Sequence, residues 1–338
     1  MDLNTIWFLL VGVLIIGYAL LDGFDLGVGS LFYVLGKTDQ ERKTLINAIG
    51  PVWDGNEVWL LTGGGALFAA FPLVYASVFS GFYLAMMLVL FALIFRAVAV
   101  EYYFKMDTPG LQKLMGGLFF IGSFLPALLF GVAVGNVVYG IPLDAAQNYS
   151  GTFFGLLKPF ALCFGIVGLF AFLLQGASYA ALKTEGEQQK RAQELSKNFA
   201  LILLVLWLIG GIYSKMAAPH LWENYQKLPL LYVLPLLTLV SLILIPGWVR
   251  KNAYQKVFTA SSIAFATLIL TVAAGLYPNW VIATEPAKSL TIYNASSSPL
   301  TLKVMLIVAL IGVPIVLLYT IYTYRVFRGK ATSERHGY

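Results

Sequence analysis

The stretch GYALLDGFDLGVGSLF, from Gly17 to Phe32, decides the fold. Two carboxylates, Asp22 and Asp25, interrupt an apolar run that begins near Thr5 and continues beyond them to Leu35. A charge at the centre of a membrane helix costs roughly 2.5–3.5 kcal/mol on insertion scales, and less near an interface. Such carboxylates must be protonated, paired or hydrated. The pair therefore predicts a polar site within a membrane segment.

The composition is that of a polytopic membrane protein. Of 338 residues, 59% are hydrophobic and 11% are charged, whereas soluble domains carry roughly 25% charged residues. We expect one all-α integral membrane domain over residues 1–338, without strands. Spans of about 20 apolar residues predict nine transmembrane helices, at Thr5–Leu35, Val52–Phe71, Val74–Val100, Leu114–Gly135, Phe153–Leu182, Phe199–Tyr213, Leu228–Trp248, Val257–Tyr277 and Leu300–Val326.

The distribution of Lys and Arg predicts the orientation. With the N-terminus outside, 17 of the 22 basic residues fall on the cytoplasmic side, as the positive-inside rule requires. This explains the net charge of +6 without a nucleic-acid partner. The spacing is compatible with two four-helix units (about 1–135 and 153–277), a peripheral ninth helix (300–326) and a cytoplasmic tail (327–338). The segment 183–198 is predicted to be a charged, helix-favouring cytoplasmic loop, and the segment 278–299 is predicted to be an outer loop.

Five charged residues are predicted to lie at one level. Asp54 and Glu57 begin the second helix, and Arg96 lies near the end of the third. Measured from Thr5 at 1.5 Å per residue, Asp22 and Asp25 lie about 26 and 30 Å along the first helix, near the cytoplasmic edge of a core about 30 Å thick. The i, i+3 spacing places each acid pair on one helical face. The five groups therefore predict a cytoplasmic-side cluster that is able to relay protons.

Structural explanations compete with this one. Acids also suit a helix start after Pro51, and Arg96 also suits a boundary position from which it extends to water. The glycines beside the acids favour close helix packing; they are Gly23, Gly27 and Gly29.

The sequence offers few ligands for a cofactor. Cys163 is the single cysteine, so an intrachain disulfide and a cysteine-based metal cluster are excluded. His220 is predicted in an outer loop and His336 in the C-terminal tail. We therefore expect no haem or metal held by this chain alone, and no cofactor-binding residue is predicted.

Three motifs resemble the signatures of subunit II of cytochrome bd-type quinol oxidases. They are LLDGFDLGVG from Leu20, PVWDGNEVWLLTGGGALFAAFP from Pro51, and LTIYNASSSPLTLKVM from Leu290, with PIVLLYT after it. The similarity runs from the first helix to the last. It implies a nine-helix subunit, with the N-terminus out and the C-terminus in, paired with a similarly folded subunit I. That partner carries two b-type haems, one d-type haem and the quinol-oxidising loop.

The resemblance also implies a function. Such complexes oxidise quinol and reduce dioxygen to water in a prokaryotic plasma membrane, taking protons from the cytoplasm. In the family, the acids matching Asp25 and Asp54 are associated with a proton route. Some members hold a quinone in subunit II, and a small single-helix subunit is left open. Position 57 is a departure, because Glu57 stands where some members have Gln.

Two other functions remain open from the residues alone. One is a proton- or cation-coupled secondary transporter, and the other is a purely structural scaffold. A transporter is expected to have broken helices in two matching halves. The intramembrane acids of this chain lie in the first half only and at one edge, which disfavours a transporter.

Overall fold

The structure is a computed structural model that describes residues 2–106 and 108–334. His336 therefore lies outside the described residues. The helices are α1 Leu3–Ser30, α2 Phe32–Leu35, α3 Asp39–Ile49, α4 Trp53–Ala70, α5 Pro72–Gly81, α6 Tyr83–Tyr102, α7 Pro109–Tyr139, α8 Pro159–Lys183, α9 Gly186–Ala217, α10 Glu223–Lys227, α11 Val233–Arg250, α12 Tyr254–Leu276 and α13 Pro299–Val326. The strands are β1 Asn279–Val281 and β2 Leu290–Thr291.

Eight of the helices in the described residues are long and apolar enough to cross a membrane, namely α1, α6, α7, α8, α9, α11, α12 and α13. The chain is thus a multi-span membrane protein. α4 occupies the position of the second predicted crossing but is not among the eight. Its 18 residues include Asp54, Asn56 and Glu57, which lower its mean hydropathy.

Several predicted boundaries were wrong. The predicted helix Val74–Val100 is two helices, because the chain leaves helical geometry at Phe82 (φ −99°, ψ 22°). Pro72 starts α5, and Ser77 on α5 donates a hydrogen bond to the carbonyl of Gln147 at 2.6 Å. α5 is therefore attached to the segment between α7 and α8, and the apolar crossing begins only at α6.

Three further segments differ from expectation. The predicted loop 183–198 is largely helical and continuous with the next crossing as α9, because its Glu, Gln, Lys and Ala residues favour a helix. The predicted loop 278–299 contains β1 and β2, which pair antiparallel, so the chain is not purely helical. α1 ends at Ser30 instead of Leu35, and α8 begins at Pro159 instead of Phe153.

α1 lies at the centre of the bundle and packs against α4, α7, α8 and α12. It crosses α8 at backbone contact. A Cβ on Gly27 would lie 2.1 Å from the carbonyl oxygen of Phe172, and one on Gly176 would lie 2.2 Å from the carbonyl carbon of Gly27. Glycine at both positions is what permits this crossing, which lies two residues beyond Asp25.

Segments predicted to be cytoplasmic meet at one end of the bundle. Glu41 on α3 pairs with Arg191 on α9, and Gln188 donates to the carbonyl of Glu41 at 2.9 Å. The tail lies across the end of α8, where Lys330 donates to the carbonyl of Thr184 at 2.8 Å. We name this end the α3 end.

Glu41 provides a test of the α3 end. Burial raises its pKa, but hydrogen bonds from Arg191 and from the backbone N–H groups of Lys37 and Thr38 outweigh burial and hold the pKa below its usual value. The Glu41 carboxylate therefore stabilises the folded chain fully at pH values above its usual pKa of about 4.5. This stabilisation is lost as the pH falls through the lowered pKa of Glu41 in the folded chain.

We expect Glu41→Gln to destabilise the folded chain by about 1–2 kcal/mol at pH 7. Thermal unfolding in detergent, compared with the wild type, measures this difference. The difference should shrink below pH of about 4.5. A difference that grows as the pH falls would contradict the assignment. Glu187→Gln is the control, because the Glu187 side chain is 75% exposed.

α13 lies at the periphery, and no residue of its most apolar 18-residue stretch is buried. Its N-terminal end is held by the indole N–H of Trp7, which donates to the carbonyl of Leu302 at 2.9 Å. Its other end is held by Tyr324, which donates to Asn56 on α4 at 2.8 Å. The contacts of α13 are thus concentrated at its two ends.

Candidate functional site

A buried ion pair joins α1 to α6. Asp22 Oδ1 lies 2.7 Å from Arg96 Nη1, and the same nitrogen donates to Asp22 Oδ2 at 2.9 Å. The two side chains are 0% and 1% exposed. Gly122 lets α7 approach α6 here, because a Cβ at that position would lie 2.6 Å from the backbone nitrogen of Arg96. Removing either partner of so deeply buried a pair would leave the other charge buried and uncompensated.

Glu57 extends this pair toward the surface of the chain. Its Oε2 lies 3.3 Å from Arg96 Nη2, and its side chain is 22% exposed. Arg96 therefore contacts one fully buried acid and one partly exposed acid, which come from different helices. The hydroxyl of Tyr18 is also buried near Asp22.

Asp25 lies in a neutral environment beside this ion pair. Its Oδ2 accepts a hydrogen bond from Asn56 Nδ2 at 2.8 Å, and Asn56 Oδ1 accepts one from the Tyr324 hydroxyl at 2.8 Å. Asp25 is fully buried, and its Oδ1 has no hydrogen-bond partner among residues 2–106 and 108–334. The Phe24 and Tyr179 rings stack at 3.8 Å on the same part of α1.

Asp54 takes a different position. It is exposed in the first turn of α4, and within the described part of the chain no cation lies at ion-pair distance from it. The structure thus brings together Asp22, Glu57 and Arg96, and it places Asp25 on the same face of α1 as Asp22. It leaves Asp54 at the surface, three residues before Glu57.

This arrangement is able to hold protons. Asp22 and Arg96 neutralise each other, while Asp25 has no cation within ion-pair distance among the described side chains. Asp25 is therefore able to gain or lose a proton without breaking an ion pair. Glu57 is the member of the cluster that reaches the surface of the chain, with 22% of its side chain exposed.

Asn56 and Tyr324 complete the site, and sequence reasoning missed both. Neither carries a charge, and the predicted cluster consists of charged residues only. For Asn56 a signal existed, because a buried amide between Asp54 and Glu57 is itself unusual in a membrane helix. For Tyr324 no signal existed, because tyrosine is common near membrane boundaries.

The described residues do not fit a haem. His220 lies in the turn Pro219–Trp222, with its Nε2 2.9 Å from the carbonyl oxygen of Val138. Among the residues that the structure describes, no group of three or more His, Cys, Asp and Glu side chains is placed to hold a metal ion. A cavity of about 600 Å³ opens at the α3 end, and neither acid of α1 lines it.

Comparisons with known proteins agree with this fold. The family model described as "Cytochrome bd terminal oxidase subunit II" matches residues 3–327. The chain is 40% identical to "Cytochrome bd-I ubiquinol oxidase subunit 2" of Escherichia coli (strain K12), covering 98% of this chain and 96% of that protein. It is 33% identical to "Cytochrome bd ubiquinol oxidase subunit 2" of Bacillus subtilis (strain 168), covering 98% of each.

A solved structure shows the same architecture. A chain from "The structure of bd oxidase from Geobacillus thermodenitrificans" superposes with a TM-score of 0.79 over 97% of this chain and 99% of that one, at 15% identity. The resemblance predicted from the three sequence motifs is thereby confirmed. With its family-model match over residues 3–327 and its relatives in oxidoreductase complexes, the chain belongs to the cytochrome bd terminal oxidase subunit II family.

Proposed function

We propose that this chain is the non-haem subunit of a bd-type quinol oxidase, and that its buried acids form a cytoplasmic proton-entry route. A partner, subunit I, holds the b and d haems, at which quinol is oxidised and dioxygen is reduced to water. The observation that carries the proton route is Asp25, a fully buried carboxyl with a free oxygen beside an acid cluster that reaches the surface. A bound quinone and a small single-helix subunit stay predictions.

The topology belongs to the same proposal. We infer nine crossings, with α4 as the second, and an N-terminus outside and a C-terminus inside a prokaryotic plasma membrane. α1, α4, α6 and α7 form one unit, α8, α9, α11 and α12 form the other, and α13 is peripheral. The basic residue count supports this orientation, as does the meeting of α3, the start of α9 and the tail at one end. That end also carries Glu57 and Asp25.

Each residue of the cluster has its own role in the proposed proton transfer. Glu57 exchanges protons with water at the surface of the subunit. Arg96 stays charged and fixes Asp22 and Glu57 near each other. Asn56 holds Asp25 Oδ2, so Asp25 Oδ1 is the atom that takes up the proton. Asp54, exposed three residues before Glu57, adds a negative charge at the entrance.

Asp25→Asn in the assembled oxidase tests the route. It keeps the size of the side chain and removes the titration, so quinol-driven oxygen reduction should slow by roughly tenfold or more with the haem content unchanged. The slowing should ease at lower cytoplasmic pH, where other acids or water supply protons. Glu101→Gln, an exposed acid at the end of α6, is the control and should leave the rate unchanged.

Two results would contradict the proposal. Unchanged oxygen reduction and proton uptake in Asp25→Asn would show that the carboxyl carries no protons. Loss of haem or of subunit I in the same variant would show that Asp25 has a structural role. Asp54→Asn is expected to slow the reaction less than Asp25→Asn, because Asp54 is exposed.

A further inference from the structure

Tyr324 differs from its neighbours on α13. Tyr319 and Tyr322 are each 67% exposed, as expected on a peripheral helix. Tyr324 is half-buried, and its ring meets the ring of Phe24 edge-on, with 6.3 Å between the ring centres. Its hydroxyl donates to Asn56 Oδ1 at 2.8 Å. A peripheral helix thus places one polar group against the carboxylate cluster.

The Tyr324 contact holds the Asn56 amide in the orientation that its other partners require. An amide has a donor end and an acceptor end that occupy nearly the same space. The carbonyl of Leu21 only accepts, so Nδ2 donates to it at 3.3 Å and to Asp25 Oδ2 at 2.8 Å. Oδ1 is then the atom that accepts from the Tyr324 hydroxyl. With the amide reversed, its acceptor oxygen would face the carboxylate, and two acceptors would repel each other.

We propose that Tyr324 is a positioning residue of the Asp25 proton site. By donating to Asn56 Oδ1, it keeps the donor end of the amide on Asp25 Oδ2 and leaves Asp25 Oδ1 to exchange the proton. This inference rests on the proposed proton route and gives α13 a part in it. Tyr324 acts through Asn56 and passes no proton itself.

Tyr324→Phe in the assembled oxidase is the test, because it removes the hydroxyl and keeps the ring against Phe24. The infrared bands of the Asp25 carboxyl group, assigned by their absence in Asp25→Asn, should shift. Oxygen reduction should slow by about three- to tenfold, the range expected for one lost hydrogen bond, with an altered pH profile and full haem content. Tyr322→Phe, two residues away and exposed, should change neither the bands nor the rate.

A second variant tests whether Tyr324 acts through Asn56. In an Asn56→Ala background, adding Tyr324→Phe should have no further effect on the rate or on the Asp25 bands. Additive effects would overturn the inference, because they would show that Tyr324 acts by a separate contact.

The outcomes separate this inference from the proposed function. If Asp25→Asn slows the enzyme while Tyr324→Phe leaves bands and rate unchanged, the proton route stands and the role of Tyr324 is refuted. If Tyr324→Phe shifts the bands while Asp25→Asn leaves turnover unchanged, the proton route is refuted. The Tyr324–Asn56 contact then positions a carboxyl group that has no function in turnover. That second result also overturns the inference as a statement about the proton site.

Discussion

Arg96→Gln is expected to destabilise the chain by about 3–5 kcal/mol, because it leaves the buried Asp22 carboxylate without its charge partner. Both side chains are almost completely buried, so water does not replace the lost contact. The loss is a large fraction of the roughly 5–15 kcal/mol by which a typical domain is stable. We therefore expect little assembled oxidase, and unfolding in detergent at a markedly lower temperature.

A double variant distinguishes charge pairing from packing. Asp22→Asn combined with Arg96→Gln removes both charges and keeps similar volumes, so it should recover most of the lost stability. Arg250→Gln serves as the control, because Arg250 is exposed at the end of α11. A double variant as unstable as Arg96→Gln alone would show that the arginine stabilises the bundle by something other than its pairing with Asp22.

Gly27→Ala is expected to have the second large effect, although it adds only one methyl group. The new Cβ would lie 2.1 Å from the carbonyl oxygen of Phe172, so α1 and α8 would have to separate. Such overpacking costs about 1–3 kcal/mol and sometimes more. The separation occurs two residues from Asp25, so the rate of oxygen reduction should fall together with the unfolding temperature.

The same helix offers a matched control. A Cβ added to Gly12 on α1 would meet no atom within 4 Å, so Gly12→Ala should leave both stability and activity near the wild type. Equal behaviour of the Gly12 and Gly27 variants in a thermal unfolding assay would mean that the helix crossing adjusts without cost. Gly176→Ala, on the opposite helix, should reproduce the effect of Gly27→Ala.

The sequence predicted well at which level of the bundle the charged residues lie, and poorly which way their side chains face. A rise of 1.5 Å per residue for Asp22, together with the predicted topology for Glu57 and Arg96, was sufficient to place these three at one level, and the structure brings them together. The same argument gave Asp54 an equal place, yet Asp54 is exposed. Which face of α4 points to α1 depends on helix packing, and periodicity does not determine it where polar and apolar residues surround the helix.

The prediction of helix boundaries failed where tertiary contacts set them. The apolar run from Val74 to Val100 shows no change in hydropathy at Phe82, so composition alone did not reveal the break there. The break follows from tertiary contacts, because Ser77 bonds the Gln147 carbonyl and Gly81 lies against Tyr149. The residues before Phe199 were predicted to favour a helix, but their charge placed them in a separate loop, whereas α9 runs from them into the crossing without a break.

The contact between Tyr324 and Asn56 has a consequence for biosynthesis. The ribosome makes α13 after all the other described helices, so Asp22, Asp25 and Arg96 are synthesised before Tyr324. During that interval Asn56 lacks the hydroxyl that fixes its amide. The polar site is therefore completed only after α13 has been made. A chain truncated before α13 is expected to expose this site to proteolytic quality control, because its amide and carboxyl groups remain incompletely bonded.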